Sequence, residues 1–178
     1  MKKDFIKLPL VLFLISGIVT ALLAFANSVT APVIEKRNEQ SVNEARESVL
    51  SGAKDFQSVD YKNDEVSELV REKSGKGYCA SVSVKGYGGD INMIVGVEPD
   101  GTVTGVKIIS MSETAGLGAK TNDEKWLSQF VGGSGEFKVS KDGGEIDAVT
   151  AATISSRAVS KGVTAASQAV KEVEGIEE

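Results

Sequence analysis

The stretch that decides the fold is residues 78–110, which read YCASVSVKGYGGDINMIVGVEPDGTVTGVKIIS. Polar and apolar side chains alternate from Ser81 to Lys85, which is the period of a half-buried β-strand. Residues 99–101 are Pro-Asp-Gly, a tight turn in which glycine reaches a positive φ at low cost. The pattern predicts an antiparallel meander of three strands, at residues 78–85, 91–98 and 102–110.

The residues after this meander predict short elements followed by one long helix. Residues 122–131 suit a short helix with its large apolar side chains inward, and residues 137–139 and 145–149 suit short strands. From Ile154 onward, apolar residues recur every three or four positions, which indicates an amphipathic helix. The pattern predicts an α+β fold, an antiparallel sheet with packed helices, preceded by one N-terminal transmembrane helix.

The N-terminal residues 8–26 contain no charge and are almost wholly apolar. At about 1.5 Å per residue, such a helix approaches the roughly 30 Å thickness of the hydrocarbon core. Lys2, Lys3 and Lys7 precede it, so the positive-inside rule places residues 1–7 in the cytoplasm. We therefore expect a single-pass anchor in the cell (inner) membrane, with the rest of the chain outside the cytoplasm.

A cleaved signal peptide is the competing interpretation, because Ala24-Phe25-Ala26 has the small-x-small form of a cleavage box. The apolar core of a signal peptide spans only about 7–15 residues, which is shorter than this run. We expect the anchor to be retained in the mature chain.

The segment between the anchor and the meander, residues 27–77, predicts a juxtamembrane helix and a connection. Thr30-Ala31-Pro32 has the form of a helix start, and apolar positions continue to about Leu50. Residues 51–77 are rich in charge, glycine and serine with weak periodicity, which indicates a partly irregular connection. The globular domain is then expected at 78–178.

Composition excludes several kinds of function. The chain has no histidine and one cysteine, which removes Ser-His-Asp catalysis, zinc sites of the His-x-x-x-His kind and four-cysteine clusters. Cys79 is best interpreted as a small buried apolar side chain. Without the first 26 residues, 17 basic and 24 acidic side chains remain, a net charge of −7 that argues against a nucleic acid partner. Any redox function therefore needs an organic cofactor, and we expect no metal site.

Residues 147–156, DAVTAATISS, place a hydroxyl-rich turn where the last helix begins. Free N–H groups and the positive end of the helix dipole favour an anion there, and the hydroxyls of Thr150, Thr153, Ser155 and Ser156 add donors. A helix cap with no ligand is the alternative, and the spacing alone favours it.

The same stretch resembles the Asp-x-x-Ser/Thr-Gly-Ala-Thr motif of the FMN-binding domain family, with Asp147, Thr150, Ala152 and Thr153 matching. Residues 112–120, SETAGLGAK, resemble the Glu-Thr-Pro-Gly-Leu-Gly loop of the G subunits of Rnf electron-transport complexes and the related C subunits of sodium-pumping NADH:quinone oxidoreductases. The similarity covers most of residues 78–170. The chain departs from the family at Ala151, usually glycine, and at Ala115, usually proline.

The resemblance implies covalent FMN, joined by a phosphoester between its phosphate and the hydroxyl of Thr153. Because the chain has no histidine to activate that hydroxyl, the implied partner is a separate FAD-dependent flavin transferase that requires magnesium and releases AMP. Asp147 and Thr150 would present the acceptor loop, and Ser155 would add a hydroxyl. The resemblance also implies that the loop at residues 113–120 contacts the flavin ring and that a lysine in it offsets negative charge. The residues concerned are Glu113, Thr114, Gly116, Leu117, Gly118 and Lys120.

The implied function is that of a membrane-anchored electron carrier in an ion-translocating ferredoxin:NAD oxidoreductase, the Rnf complex, with the other membrane subunits as partners. No catalysis is expected from the isolated chain beyond electron transfer by the flavin. An extracytoplasmic flavin-binding sensor or electron shuttle outside such a complex is the main alternative. A structural domain without a ligand is the third.

Overall fold

The computed structural model describes residues 2–176, with side chains for all of these except 2–6 and 8. Met1, in the expected cytoplasmic segment 1–7, lies outside this range, and so do residues 177–178 of the expected domain 78–178. The side chains of Lys2 and Lys3 are also outside it. The chain forms two compact units, Met1–Ser41 and Val42–Glu178. The helix α1, Lys2–Val49, contributes to both.

The larger unit is built on a five-stranded sheet in the order β1-β2-β3-β4-β5, with every neighbouring pair antiparallel. The predicted meander forms its second half, with β3 starting at Tyr78 as expected. The strand bounds are Phe56–Val59, Val66–Glu72, Tyr78–Lys85, Asp90–Val97 and Val103–Met111. The predicted α+β class with an antiparallel sheet is confirmed.

The long helix α3, Thr153–Glu174, covers one face of this sheet. Its buried side chains are nearly all small, which lets the helix axis approach the strands closely. At Gly162 an added Cβ would lie 2.9 Å from Met93 Cε and 3.1 Å from Val82 Cγ1. The shared core includes Tyr78 and Phe130, two of the largest fully buried side chains.

The end of α1 packs on the opposite face of the sheet. Ala45 and Val49 are buried there against Val70, Cys79 and Ile94. Cys79 is 1% exposed, so its interpretation as a buried apolar residue is confirmed.

Two predictions about residues 27–77 were wrong. No helix starts at Thr30: this residue lies inside the continuous α1, and its Oγ1 donates to the carbonyl of Ala26 at 3.0 Å. The expected irregular connection contains β1 and β2. Strand β2 shows no alternation because both of its faces are covered, so that the neighbours Leu69 and Val70 are buried on opposite sides.

Between β5 and α3 the chain is less regular than predicted. The helix expected at 122–131 is one α-helical turn, α2 at Glu124–Leu127, continued by a 3-10 turn at Ser128–Phe130. The strands expected at 137–139 and 145–149 are absent from the described chain, where only a single parallel bridge joins Val139 to Ile146. Gly143, with φ of 82°, closes a 3-10 turn between these two residues.

In the smaller unit, α1 is long and apolar enough to cross a membrane, and it is the one described helix that is. Its large apolar side chains between Leu10 and Ile34 are exposed on all sides. A helix that is apolar all round and not packed in a protein core fits a membrane anchor.

Candidate functional site

A cleft of about 410 Å³ opens at the start of α3. Three pieces of chain meet there: the turn between β3 and β4, the loop that follows β5, and the first residues of α3. The lining consists of Tyr87, Glu113, Thr114, Leu117, Gly118, Ala151, Ala152, Thr153, Ile154 and Ser155. The two motifs singled out in the sequence, which are separated by 26 residues along the chain, are therefore brought together.

The turn before α3 depends on an unusual backbone conformation. Ala151 has φ of 61° and is the one non-glycine residue with positive φ among residues 2–176. This is the position at which the chain departs from the glycine of the motif, so the turn is kept although alanine is strained in it. The Ala152 N–H donates to the carbonyl of Val149 at 2.9 Å, and Thr153 then begins the helix.

The N-terminus of α3 has no side-chain cap among the described residues. Ala152 occupies the cap position, and no side chain accepts a hydrogen bond from the first-turn N–H groups. The plain helix cap proposed as the alternative for this stretch is thus not what the turn forms. Open N–H groups at the positive end of a 22-residue helix make a site for an anion.

Lys141 lies beside this helix start. Its Nζ donates to Thr153 Oγ1 at 3.0 Å. The next residue, Asp142, forms a bidentate ion pair with Arg157, with both N–O distances at 2.6 Å. These hydrogen bonds hold the pKa of the Asp142 carboxyl below its usual value. Loop residues 141 and 142 are thereby fixed to α3 at positions four residues apart.

Glu113 ties the three walls of the cleft together. Its Oε1 accepts from the backbone N–H groups of Tyr87 at 2.8 Å and Gly88 at 3.2 Å, and its Oε2 accepts from Ser155 Oγ at 2.7 Å. Gly118 packs against this cluster so closely that a Cβ there would overlap the Glu113 carboxylate. Glu113 and Ser155 are therefore engaged with each other and shape the cleft.

The cleft presents large apolar side chains to solvent. Tyr87 is 71% exposed, Ile154 51% and Leu117 43%. Leu117 is held at the tip of its loop because its N–H donates to the carbonyl of Thr114 at 3.1 Å. Exposed apolar side chains grouped around a cavity indicate a binding surface.

Of the ten residues predicted for the site, six line the cleft: Glu113, Thr114, Leu117, Gly118, Thr153 and Ser155. The other four, all within the described chain, lie outside the lining: Asp147, Thr150, Gly116 and Lys120. Asp147 is exposed and held by its backbone, which donates to Gln129 Oε1 at 2.8 Å and accepts from Trp126 Nε1 at 2.6 Å. Thr150 is exposed in the turn, next to Ala151.

Three residues of the site were missed from the sequence. Tyr87 stands in a glycine-rich turn, where exposure cannot be told from the sequence. Ile154 was assigned to the apolar face of α3 but points to solvent. Lys141 precedes Thr153 by 12 residues without any regular spacing, so only the folded loop shows that they meet.

The site thus combines an apolar wall, an uncapped helix N-terminus, a lysine and a threonine hydroxyl. This combination, on a small α+β domain, fits a cofactor with a flat ring system and a phosphate group. Flavin mononucleotide has both parts.

Comparison with known proteins identifies the family. The FMN-binding domain family matches residues 86–168. The G subunit of the Na⁺-translocating ferredoxin:NAD⁺ oxidoreductase complex of Acetobacterium woodii is 38% identical over 181 residues, covering 88% of this chain and 87% of that protein. The G subunit of the proton-translocating ferredoxin:NAD⁺ oxidoreductase complex of Clostridium ljungdahlii is 35% identical over 162 residues, covering 88% and 84%.

Among solved structures, the C subunit of the Na⁺-translocating NADH-quinone reductase of Parabacteroides distasonis has the same fold. The two structures superpose with a TM-score of 0.59 at 16% sequence identity, and the match covers 82% of this chain and 96% of the other. The chain belongs to the family of G subunits of ion-translocating (Rnf) oxidoreductase complexes, which carry an FMN-binding domain.

Proposed function

We propose that this chain is the electron-carrying G subunit of an ion-translocating ferredoxin:NAD⁺ oxidoreductase and holds FMN through a phosphoester to Thr153. The observation that carries the proposal is the position of Thr153. Thr153 lines the cleft at the uncapped start of α3, and Leu117 lines the same cleft. Membership of the family of G subunits supports the rest.

The residues of the cleft divide between the two parts of the cofactor. Thr153, the first-turn N–H groups of α3 and Lys141 would hold the phosphate. Leu117, Ile154 and Tyr87 offer apolar surface to the ring, and Thr114 offers hydrogen-bonding groups at its edge. Bound FMN would supply electron transfer in steps of one or two electrons, and these residues would hold it in place and cover part of its ring.

Attachment requires help from another protein. A threonine hydroxyl is a weak nucleophile, and the chain contains no histidine to act as its base. A flavin transferase that uses FAD and magnesium would supply the activation. Covalent attachment also suits a site outside the cytoplasm, where a cofactor that dissociates is lost.

The membrane topology follows from the anchor. Residues 8–26 of α1 would cross the membrane once, with the lysines before them in the cytoplasm and the FMN domain outside. The other membrane subunits of the complex would be the electron partners. Copurification of the full chain with those subunits would distinguish this role from that of a separate shuttle or sensor.

The test is in-gel ultraviolet fluorescence of the denatured full chain, expressed with a flavin transferase. Only a covalent flavin survives denaturation, so the wild-type band should fluoresce and the Thr153→Ala band should not. Thr153→Ala should still fold, because loss of one hydroxyl at a helix start costs about 0.5–2 kcal/mol. Thr150→Ala, the internal control, should give a weaker fluorescent band, with the flavin still on Thr153. Fluorescence of Thr153→Ala would show that another hydroxyl is the acceptor.

A further inference from the structure

We propose that Lys141 is a positioning residue for attachment of the flavin: its ammonium group holds the Thr153 hydroxyl for transfer and then neutralises the phosphodiester that forms. This inference rests on the proposed function. It starts from the hydrogen bond that Lys141 Nζ donates to Thr153 Oγ1 at 3.0 Å.

The charges around Lys141 indicate that an anion bound at this point would be stabilised. A cation beside the N-terminus of a helix is unfavourable, because the helix dipole is positive there. The neighbouring cations have partners: Lys138 pairs with Glu136 at 2.8 Å, Lys161 with Glu65 at 2.7 Å and Arg157 with Asp142. The Lys141 ammonium group and the positive end of the α3 dipole therefore both lie at the Thr153 hydroxyl, and no described carboxylate pairs with Lys141 there.

The contacts of this loop fix the backbone at Lys141 beside the start of α3. Val139 and Ile146 are buried and joined by a bridge, and the Ser140 N–H donates to the carbonyl of Ile146 at 2.7 Å. The Asp142–Arg157 ion pair fixes the next residue to α3. Both ends of the short turn are thus anchored, and the backbone of Lys141 is held within reach of Thr153.

The transfer step explains what this charge does. Thr153 Oγ1 forms a bond to the flavin-side phosphorus of FAD as the bond from that phosphorus to the bridging oxygen of the pyrophosphate breaks. AMP leaves with the bridging oxygen, the threonine proton passes to a base of the transferase, and no atom changes oxidation state. The product is a phosphodiester with one negative charge, which matches the single positive charge of Lys141.

The experiment measures the rate at which the full chain, in detergent with a flavin transferase, FAD and Mg²⁺, gains covalent flavin by intact mass. Lys141→Gln should lower this rate about tenfold or more, because a charge-assisted hydrogen bond is lost. Lys141→Arg should restore most of the rate, since it keeps the charge. Lys138→Gln, in the same loop but paired with Glu136, is the matched control and should react like wild type.

The remaining outcomes are decisive. Wild-type rates for Lys141→Gln, with flavin on Thr153, would overturn this inference and leave the proposed function standing. Equal slowing of Lys141→Gln, Lys141→Arg and Asp142→Asn would show that the loop matters only for its fold, which also overturns it. A wild-type chain that gains no flavin would overturn the proposed function and this inference together.

Discussion

Ala151 is the residue at which this chain differs most consequentially from its family motif. With φ of 61°, it adopts the left-handed conformation that is strained for an alanine and not for a glycine. The turn is held regardless, because the Ala152 N–H bond and the buried Ser156 hydroxyl, which accepts from the Val149 N–H at 3.0 Å, fix both sides of it.

Ala151→Gly should therefore stabilise the domain. The left-handed conformation costs alanine about 1–2 kcal/mol, and glycine's added freedom in the unfolded chain offsets about 0.4–1 kcal/mol. We expect the free energy of unfolding, from urea titration, to rise by about 0.5–1 kcal/mol. Ala148→Gly, where φ is not positive, should lower it. A lower free energy of unfolding in Ala151→Gly would contradict the claim that Ala151 is strained in its left-handed conformation.

Leu117 should contact the flavin ring, because it is 43% exposed at the tip of a loop in the cleft wall. Leu117→Ala should leave attachment intact but admit water, which stabilises the charged reduced flavin and raises its midpoint potential. Spectroelectrochemical titration measures this change. Leu127→Ala, in the buried core, should instead cost about 2–5 kcal/mol of stability without moving the potential. If the midpoint potential of Leu117→Ala is unchanged, Leu117 does not contact the flavin ring and only stabilises its loop.

Sequence reasoning singled out the turn before α3 and the Leu117 loop because each is a contiguous motif, and residues of both line the cleft. It could not find Lys141, whose contact with Thr153 depends on how an irregular loop folds. It also could not show that Glu113 and Ser155 hydrogen-bond to each other across 42 residues. Two of the three walls of the cleft thus contain residues of contiguous motifs, and only the fold showed the hydrogen bonds that link them.

Among the elements, strands β3 to β5 were predicted from the sequence and β1 and β2 were not; for β2 the structure gives a physical reason. The end of α1 covers the second face of the sheet near β2, so buried residues there do not alternate. Prediction of α1 failed in a similar way: Pro32 resembled a helix start, yet the helix continues through it. A proline or an alternating pattern in the sequence therefore predicts a helix boundary or a strand only where tertiary packing does not override the local preference.

The packing of α1 on the sheet depends on two glycines and one hydroxyl. Thr104 Oγ1 donates to the Val49 carbonyl at 2.6 Å, and Gly96 and Gly105 make room for the Val49 backbone. Gly96→Ala would place its Cβ against that carbonyl oxygen, so it should lower the free energy of unfolding by about 1–3 kcal/mol. Ser83→Ala on β3 should stay within about 0.5 kcal/mol. Chemical denaturation compares them, and equal stability of the two variants would refute this contact.

The domain as a unit should lose stability in alkali. Burial raises the pKa of both Tyr78 and Cys79 to about 12, from usual values of 10.0 and 9.0. Because the folded pKa lies above the unfolded one, their contribution is complete below about pH 9 and declines as the pH rises towards about 12. Urea midpoints should therefore fall between about pH 9 and about pH 11, and less steeply in Tyr78→Phe/Cys79→Ala. A midpoint that is constant over this range would contradict the burial of both groups.

The claim that joins fold, cleft and family is that Thr153 carries the cofactor. Tandem mass spectrometry of peptides from the full chain, isolated from membranes of cells that express a flavin transferase, tests it directly. We expect the mass of an FMN phosphoester on Thr153, within the peptide that contains residues 147–157, and on no other residue. An FMN increment on Thr150 or Ser155, or a peptide that is unmodified throughout, would contradict it.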